Sequence, residues 1–151
     1  MALPRWIILT VGALALPAAA DEITYRTHVA PLWEARCAAC HGAKSPYLGE
    51  FEQDEERFVA LGQGPRMDSY ADLIMFVGWP DTGALMRRLD DGRNRDDGEP
   101  GNMYEHLGDD EAERQQNLAT FKAWVGGDEA WTLKRWRDIS KEELDRLAVP
   151  Y

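Results

Sequence analysis

The chain has 151 residues, with 17 Lys and Arg against 27 Asp and Glu, which gives a formal net charge of −10. This length is typical of one domain, and the hydrophobic content of 44% is sufficient for a core. The acidic excess argues against binding to nucleic acids or anionic membranes, because both require a basic surface. With only two cysteines, the chain is not a multi-disulfide scaffold.

Residues 1–20 have the pattern of a secretory signal peptide. Arg5 supplies a positive charge, residues 6–16 are apolar, and the three alanines at 18–20 form a small-residue cleavage site. The alternative is an uncleaved membrane anchor, but the apolar run is shorter than the ~20 residues that a membrane span requires. We therefore expect cleavage after Ala20 and an exported protein with no stable membrane span.

The rest of the sequence predicts helices and long loops, without the sustained two-residue alternation of strands. An apolar stripe at helical spacing predicts a first helix over residues 24–40. Its regular part is expected to start near Ala30, because Pro31 is tolerated only in a first turn. Further helices are predicted at residues 50–61, 68–77, 81–89 and 110–125, with a short terminal helix from residue 140.

Capping residues indicate where several of these helices begin. Asp68 is expected to cap the helix over residues 68–77. Asp109 or Asp110 is expected to cap the helix over residues 110–125. Asp110 with Glu113, and Ser140 with Glu143, have the spacing of a capping box. These signals, together with the helical periodicity, predict an all-α fold.

Residues 37–41 read Cys-Ala-Ala-Cys-His, which is the most informative pattern in the chain. C-x-x-C-H is the covalent attachment site of c-type haem. Two thiols on one helical turn can each add to a haem vinyl group, and the adjacent histidine then presents its imidazole to the iron. Cys37, Cys40 and His41 are therefore predicted to hold one covalently bound haem c.

The motif has three other interpretations besides haem attachment. A thioredoxin-like redox pair requires a strand–helix–strand setting, which an all-α chain does not provide. A structural zinc site requires four protein ligands, and only His28 and His106 remain as nitrogen donors. A local disulfide is the third interpretation. Export favours haem, because such attachment normally takes place beyond the bacterial inner membrane.

Met103 is the predicted sixth ligand of the iron. It lies in a loop between helical segments about sixty residues beyond His41, where Gly101 and Asn102 allow the backbone to turn. His106, three residues further on, is the main alternative ligand.

The other methionines of the mature chain are less suitable as ligands. Met67 follows His41 too closely for the chain to pass around a haem. Met75 and Met86 lie in apolar helical segments, where methionine is usually a core residue.

These features resemble a class I cytochrome c, in which an N-terminal helix ends in C-x-x-C-H, a methionine-bearing loop follows, and a C-terminal helix completes the fold. The resemblance covers residues 24–127. It implies that the N- and C-terminal helices cross around one haem, with Trp33 packed against the C-terminal helix. The matching positions on that helix are Leu118, Phe121 and Trp124.

The resemblance also implies a proline whose carbonyl accepts a hydrogen bond from the ligating histidine, and Pro46 is the nearby candidate. The expected organisation is a signal peptide at 1–20, a cytochrome c domain at 21–127 and a C-terminal extension at 128–151 packed on it. Trp131 and Trp136 of the extension either pack on the core or form a partner-docking patch.

The function implied by the resemblance is that of a periplasmic monohaem electron-transfer protein. It would shuttle single electrons between redox partners, and its acidic charge favours partners with basic docking surfaces. Such a carrier is not an enzyme by itself. The alternatives are a haem-binding subunit of a larger oxidoreductase, and a small ligand-binding haem protein or peroxidase with an open sixth position.

Overall fold

The computed structural model describes residues 22–151, so the predicted signal peptide lies outside the described residues. Within that range the chain is helical and contains no β-strand, which confirms the all-α prediction. The α-helices are α1 (Ala30–Arg36), α2 (Ala38–His41), α3 (Leu48–Gln53), α4 (Glu55–Ala60), α5 (Tyr70–Met75), α6 (Ala84–Leu89), α7 (Glu111–Val125) and α8 (Lys141–Leu144). None of them is long and apolar enough to cross a membrane.

The helix predicted over residues 24–40 consists of three consecutive helical pieces. A π-helical turn at Tyr25–Val29 leads into α1, which has a proline in its first turn as expected, and α1 leads into α2. Cys37 lies between α1 and α2 with φ −119° and ψ −27°. The motif therefore sits on a separate helical turn at the end of the predicted helix.

Two local predictions were wrong. The helix predicted over residues 50–61 is divided into α3 and α4, because Asp54 leaves the helical region with φ −151° and ψ 56°. Ser69, rather than Asp68, caps α5, since its hydroxyl accepts from the backbone N–H of Asp72 at 3.1 Å. Asp68 is engaged instead in an ion pair with Arg66.

The two predicted capping boxes are present to different degrees. Ser140 and Glu143 form a complete box, in which each side chain accepts from the other residue's backbone N–H. Asp110 accepts from the N–H of Glu113 at 2.9 Å. The Glu113 carboxylate, however, accepts from the N–H of Asp109 rather than from the cap residue.

The N- and C-terminal helices meet through the faces that the sequence predicts. Leu118, Phe121 and Trp124 of α7 are fully buried, and Trp33 of α1 is 5% exposed. The Trp33 and Phe121 rings meet edge to face with centroids 6.2 Å apart. A short 3₁₀ turn at Tyr104–Leu107 leads from the central loop into the start of α7.

Residues 128–151 return along the domain and end beside its first turn. The carbonyl of Pro150 accepts from the Tyr25 N–H at 2.8 Å and from the Trp124 indole N–H at 3.0 Å. Trp131 is buried and donates its indole N–H to Asp90 at 2.8 Å, whereas Trp136 is 50% exposed. The two tryptophans of this segment therefore have different environments.

Asp90 is a fully buried carboxylate that organises the loop after α6. It accepts from the Gly92 N–H at 2.9 Å, the Asn94 side-chain amide at 2.8 Å and Trp131. Burial raises the pKa of Asp90, but these hydrogen bonds outweigh it and the net pKa lies below the ordinary value. Stability from this group is therefore present above the unfolded pKa and is lost as the pH falls through the lower folded pKa.

Asp90→Ala is expected to lower the free energy of unfolding by about 2–4 kcal/mol at neutral pH, because several buried donors lose their acceptor. Urea denaturation of the purified protein measures this change. The matched control is Asp96→Ala, which removes an exposed carboxylate from the same loop and should change stability by at most about 0.5 kcal/mol. Equal effects of the two substitutions would contradict the role given to Asp90.

Candidate haem site

Cys37 and Cys40 lie on one helical turn, with Cys37 between α1 and α2 and Cys40 within α2. The Cys37 N–H donates to the Trp33 carbonyl at 2.8 Å, and the Cys37 carbonyl accepts from the His41 N–H at 2.9 Å. Both thiols are free, with Cys37 half-buried and Cys40 exposed. Burial raises the pKa of Cys37 to about 12, and the neighbouring Cys40 adds to this effect. The turn thus carries two free thiols, of which only that of Cys40 is exposed.

The imidazole of His41 is held in one tautomer. Its Nδ1 lies 2.8 Å from the carbonyl oxygen of Pro65. Because a carbonyl can only accept, Nδ1 carries the proton and donates, which leaves the lone pair on Nε2. Burial lowers the pKa of His41, and so does the positive charge of Arg88, although the bond to Pro65 opposes them. A neutral imidazole with a free Nε2 is the form that binds a metal.

The proline that orients His41 is Pro65, so the expectation of Pro46 was wrong. The carbonyl of Pro46 accepts from the Arg66 N–H at 2.7 Å instead. The segment around Pro65 reaches the motif because the Gly64 N–H donates to the Cys40 carbonyl at 2.8 Å. The sequence signal that could have indicated this contact is the Gly-Pro pair at residues 64–65.

Gly64 lies directly against the His41 ring. A Cβ atom at this position would lie 2.1 Å from Cε1 and 2.6 Å from Nδ1 of His41. Only glycine therefore allows the backbone to approach the imidazole this closely.

Met103 is half-buried and packs against the hydrophobic core. Its N–H donates to the Arg88 carbonyl at 2.9 Å, and its carbonyl accepts from the His106 N–H at 3.2 Å. By contrast, the side chain of His106 is 60% exposed beside Glu105.

The remaining methionines differ in their surroundings. Met86 is fully buried in the core, and Met75 is partly buried against it. The Met67 N–H donates to the His41 carbonyl at 2.9 Å, which fixes its backbone beside the histidine.

The residues at this site fit a haem. They combine two free thiols on one turn with a neutral imidazole whose Nε2 is unengaged. The indole N–H of Trp33 is buried without a hydrogen-bond partner in residues 22–151, and its ring lies 6.2 Å from that of His41. Such an orphaned donor is typical of a site completed by a non-protein group. Residues 22–151 contain no group of three or more His, Cys, Asp or Glu side chains able to hold a metal ion, and a zinc site would require such a group.

An all-helical domain with a C-x-x-C-H turn beside crossed terminal helices defines the class of c-type cytochromes. Comparison with known protein families identifies the family within this class, because the PccH cytochrome c family matches residues 24–151. The chain belongs to this family. It therefore carries covalently bound haem c, and its single C-x-x-C-H motif accounts for one haem.

A solved structure supports the same assignment. The chain is similar to the monohaem cytochrome PccH from Geobacter sulfurreducens, with 55% sequence identity and a TM-score of 0.80. The match covers 87% of this chain and 100% of that one. No curated protein matches the chain. The cytochrome c-like fold predicted from the sequence is thus confirmed.

Proposed function

We propose that the chain is a periplasmic electron carrier in which Cys37 and Cys40 bind the haem as thioethers and His41 ligates the iron. The observation that carries this proposal is the 2.8 Å contact between His41 Nδ1 and the Pro65 carbonyl. It leaves the lone pair on Nε2, so that His41 would bind a metal through this nitrogen, as hydrogen-bonded ligating histidines do in metalloproteins. Haem c, when bound, supplies one-electron chemistry between Fe(II) and Fe(III).

We infer that Met103 is the sixth ligand. Its half-buried place against the core and the hydrogen bond from its N–H to the Arg88 carbonyl, which fixes the backbone of the loop, support this. Met67 is less suitable, because the hydrogen bond from its N–H to the His41 carbonyl holds its backbone beside the histidine. His106 is the less suitable alternative because its side chain is largely exposed.

With His41 and Met103 holding a bound haem, the iron would have no open position, which favours electron transfer over ligand binding or peroxidase chemistry. The chain is accordingly proposed to be a carrier and not an enzyme by itself. A carrier that works alone would run as a small protein on size exclusion of a native extract, whereas a haem subunit of a larger oxidoreductase would elute with its complex.

We propose that residues 1–20 are a cleaved signal peptide, which places the protein in the periplasm. The family match begins at residue 24, beyond this segment. Residues 21–127 then form the cytochrome c domain, and residues 128–151 are an extension held by the bonds of Trp131 and Pro150. The net charge of −10 favours redox partners with basic docking surfaces, and no role in nucleic-acid binding is proposed.

The proposed function is tested by measuring whether the haem is covalently attached to the protein. Acid–acetone extraction should leave the colour with the protein, and the intact mass should exceed that of the mature polypeptide by one haem. Cys37→Ser combined with Cys40→Ser should abolish both signals, because no other cysteine can form a thioether. A colourless mature protein with a Cys37–Cys40 disulfide would refute the proposal.

A further inference from the structure

An arginine-lined cleft of about 500 Å³ lies between α6, the loop before Met103 and the C-terminal segment. Arg87, Arg88, Arg95 and Arg135 line it, with Asp81 as its one carboxylate. This local excess of positive charge occurs in a chain whose net charge is −10. The cleft is therefore electrostatically unlike the rest of the molecule.

Two of these arginines are committed to partners within the fold. Arg87 forms an ion pair with Asp81 at 2.7 Å and donates to the Thr82 carbonyl at 2.7 Å. Arg95 forms two bonds to Asp97, at 3.1 and 3.2 Å. These guanidinium groups contribute charge to the cleft but have few free donors.

The other two arginines retain donors for an external group. Arg88 is exposed, and its partner among residues 22–151 is the neutral side-chain oxygen of Asn102 at 3.0 Å. The side chain of Arg135 is 65% exposed. It lies 4.0 Å from the carboxylate of Asp81, which Arg87 already binds at 2.7 Å. Both groups can therefore bind carboxylates of another molecule.

Exposed tryptophans adjoin the cleft. A second, shallower cleft shares Asp81 and Arg135 and is also lined by Trp136 and Arg137. Trp136 is 50% exposed, and Trp79, the residue that precedes the lining residue Pro80 in the sequence, is 65% exposed. We call Arg88, Arg135, Arg137, Trp79 and Trp136 the arginine–tryptophan face. Arginine and tryptophan are the residue types that most often dominate the energy of protein interfaces.

We propose that the arginine–tryptophan face docks an acidic patch of a protein partner, an inference that rests on the proposed electron-carrier function. The acidic remainder of the surface repels such a partner, so the face also selects its orientation. A carrier exchanges electrons with both a donor and an acceptor. The arginine–tryptophan face binds one of these two proteins, and the acidic surface binds the other, which has a basic patch. The exposed indole rings favour a protein over a small anion, which would leave them uncovered.

The face is also close in structure to the proposed sixth-ligand segment. The Arg88 carbonyl accepts from the Met103 N–H at 2.9 Å, and the Arg88 guanidinium binds Asn102, the residue before Met103. A partner bound to Arg88 is thus bound next to the segment that carries the ligand.

The test uses nuclear magnetic resonance of the ¹⁵N-labelled ferrous holoprotein, titrated with poly-L-glutamate at low ionic strength. We expect saturable shifts of the Trp79 and Trp136 indole N–H signals and of the backbone amides of residues 134–138. Arg135→Glu with Arg137→Glu should weaken binding roughly tenfold or more, and Trp136→Ala should weaken it roughly tenfold although every charge remains.

The matched control is Arg57→Glu with Arg146→Glu, which makes the same charge change at exposed positions that line neither cleft. Equal weakening by the control pair, or shifts spread over the whole surface, would overturn the proposal. So would the same shifts at similar concentrations of citrate or of a single-stranded oligonucleotide, since the face would then bind small anions or any polyanion. Failure of the carrier function would appear separately, in the optical spectrum of the haem.

Discussion

Met103→Ala is expected to abolish the weak far-red absorption band that a thioether ligand gives to ferric haem in class I cytochromes c. The reduction potential should fall, because a sulfur ligand favours the ferrous state. The opened position should also bind carbon monoxide or cyanide more readily than the wild type does. Optical spectroscopy and redox titration of the purified holoprotein measure all three changes.

The controls for this experiment are the methionines assigned to the core. Met86→Leu and Met75→Leu should retain the band, because these swaps conserve side-chain volume at positions that pack on the core. If the band survives in Met103→Ala but disappears in Met67→Ala, the ligand is Met67 and only the electron-carrier role stands.

Trp33→Ala is expected to lower the free energy of unfolding by ~3–5 kcal/mol, as large-to-small substitutions of buried aromatic residues do. This is a substantial part of the ~5–15 kcal/mol by which a domain is stable. Trp33 is 5% exposed, and its ring contacts Phe121 where the terminal helices cross. Its ring also lies beside that of His41, so the yield of holoprotein should fall as well.

Urea denaturation and haem content per polypeptide measure the effect of Trp33→Ala. Trp136→Ala is the control, because this tryptophan is half exposed and its loss should change stability by about 0.5 kcal/mol or less. Similar losses from both substitutions would show that the crossing of the terminal helices does not depend on Trp33.

The features that the sequence predicts well are local ones. The C-x-x-C-H turn follows from five consecutive residues, and the buried face of α7 follows from helical spacing. The caps at Asp110 and Ser140 were also predictable, because a capping bond joins residues three positions apart.

The features that the sequence does not predict depend on contacts between distant residues. Pro65 reaches His41 from 24 positions away, and no local pattern distinguishes it from Pro46. Trp131 is buried because Asp90, 41 positions away, accepts its indole N–H, while Trp136 in a similar sequence context stays exposed. Asp68 and Ser69 are both good capping residues, and the choice between them depends on the ion pair of Asp68 with Arg66.

Carbon monoxide binding by the wild-type ferrous holoprotein tests most directly the claim that the chain fills both axial positions of the iron. With His41 and Met103 as ligands, the oxidised protein should show the far-red band, and the spectrum of the reduced protein should not change under carbon monoxide. An oxidised protein without the band, together with rapid carbon monoxide binding after reduction, would contradict the account and favour a ligand-binding haem protein.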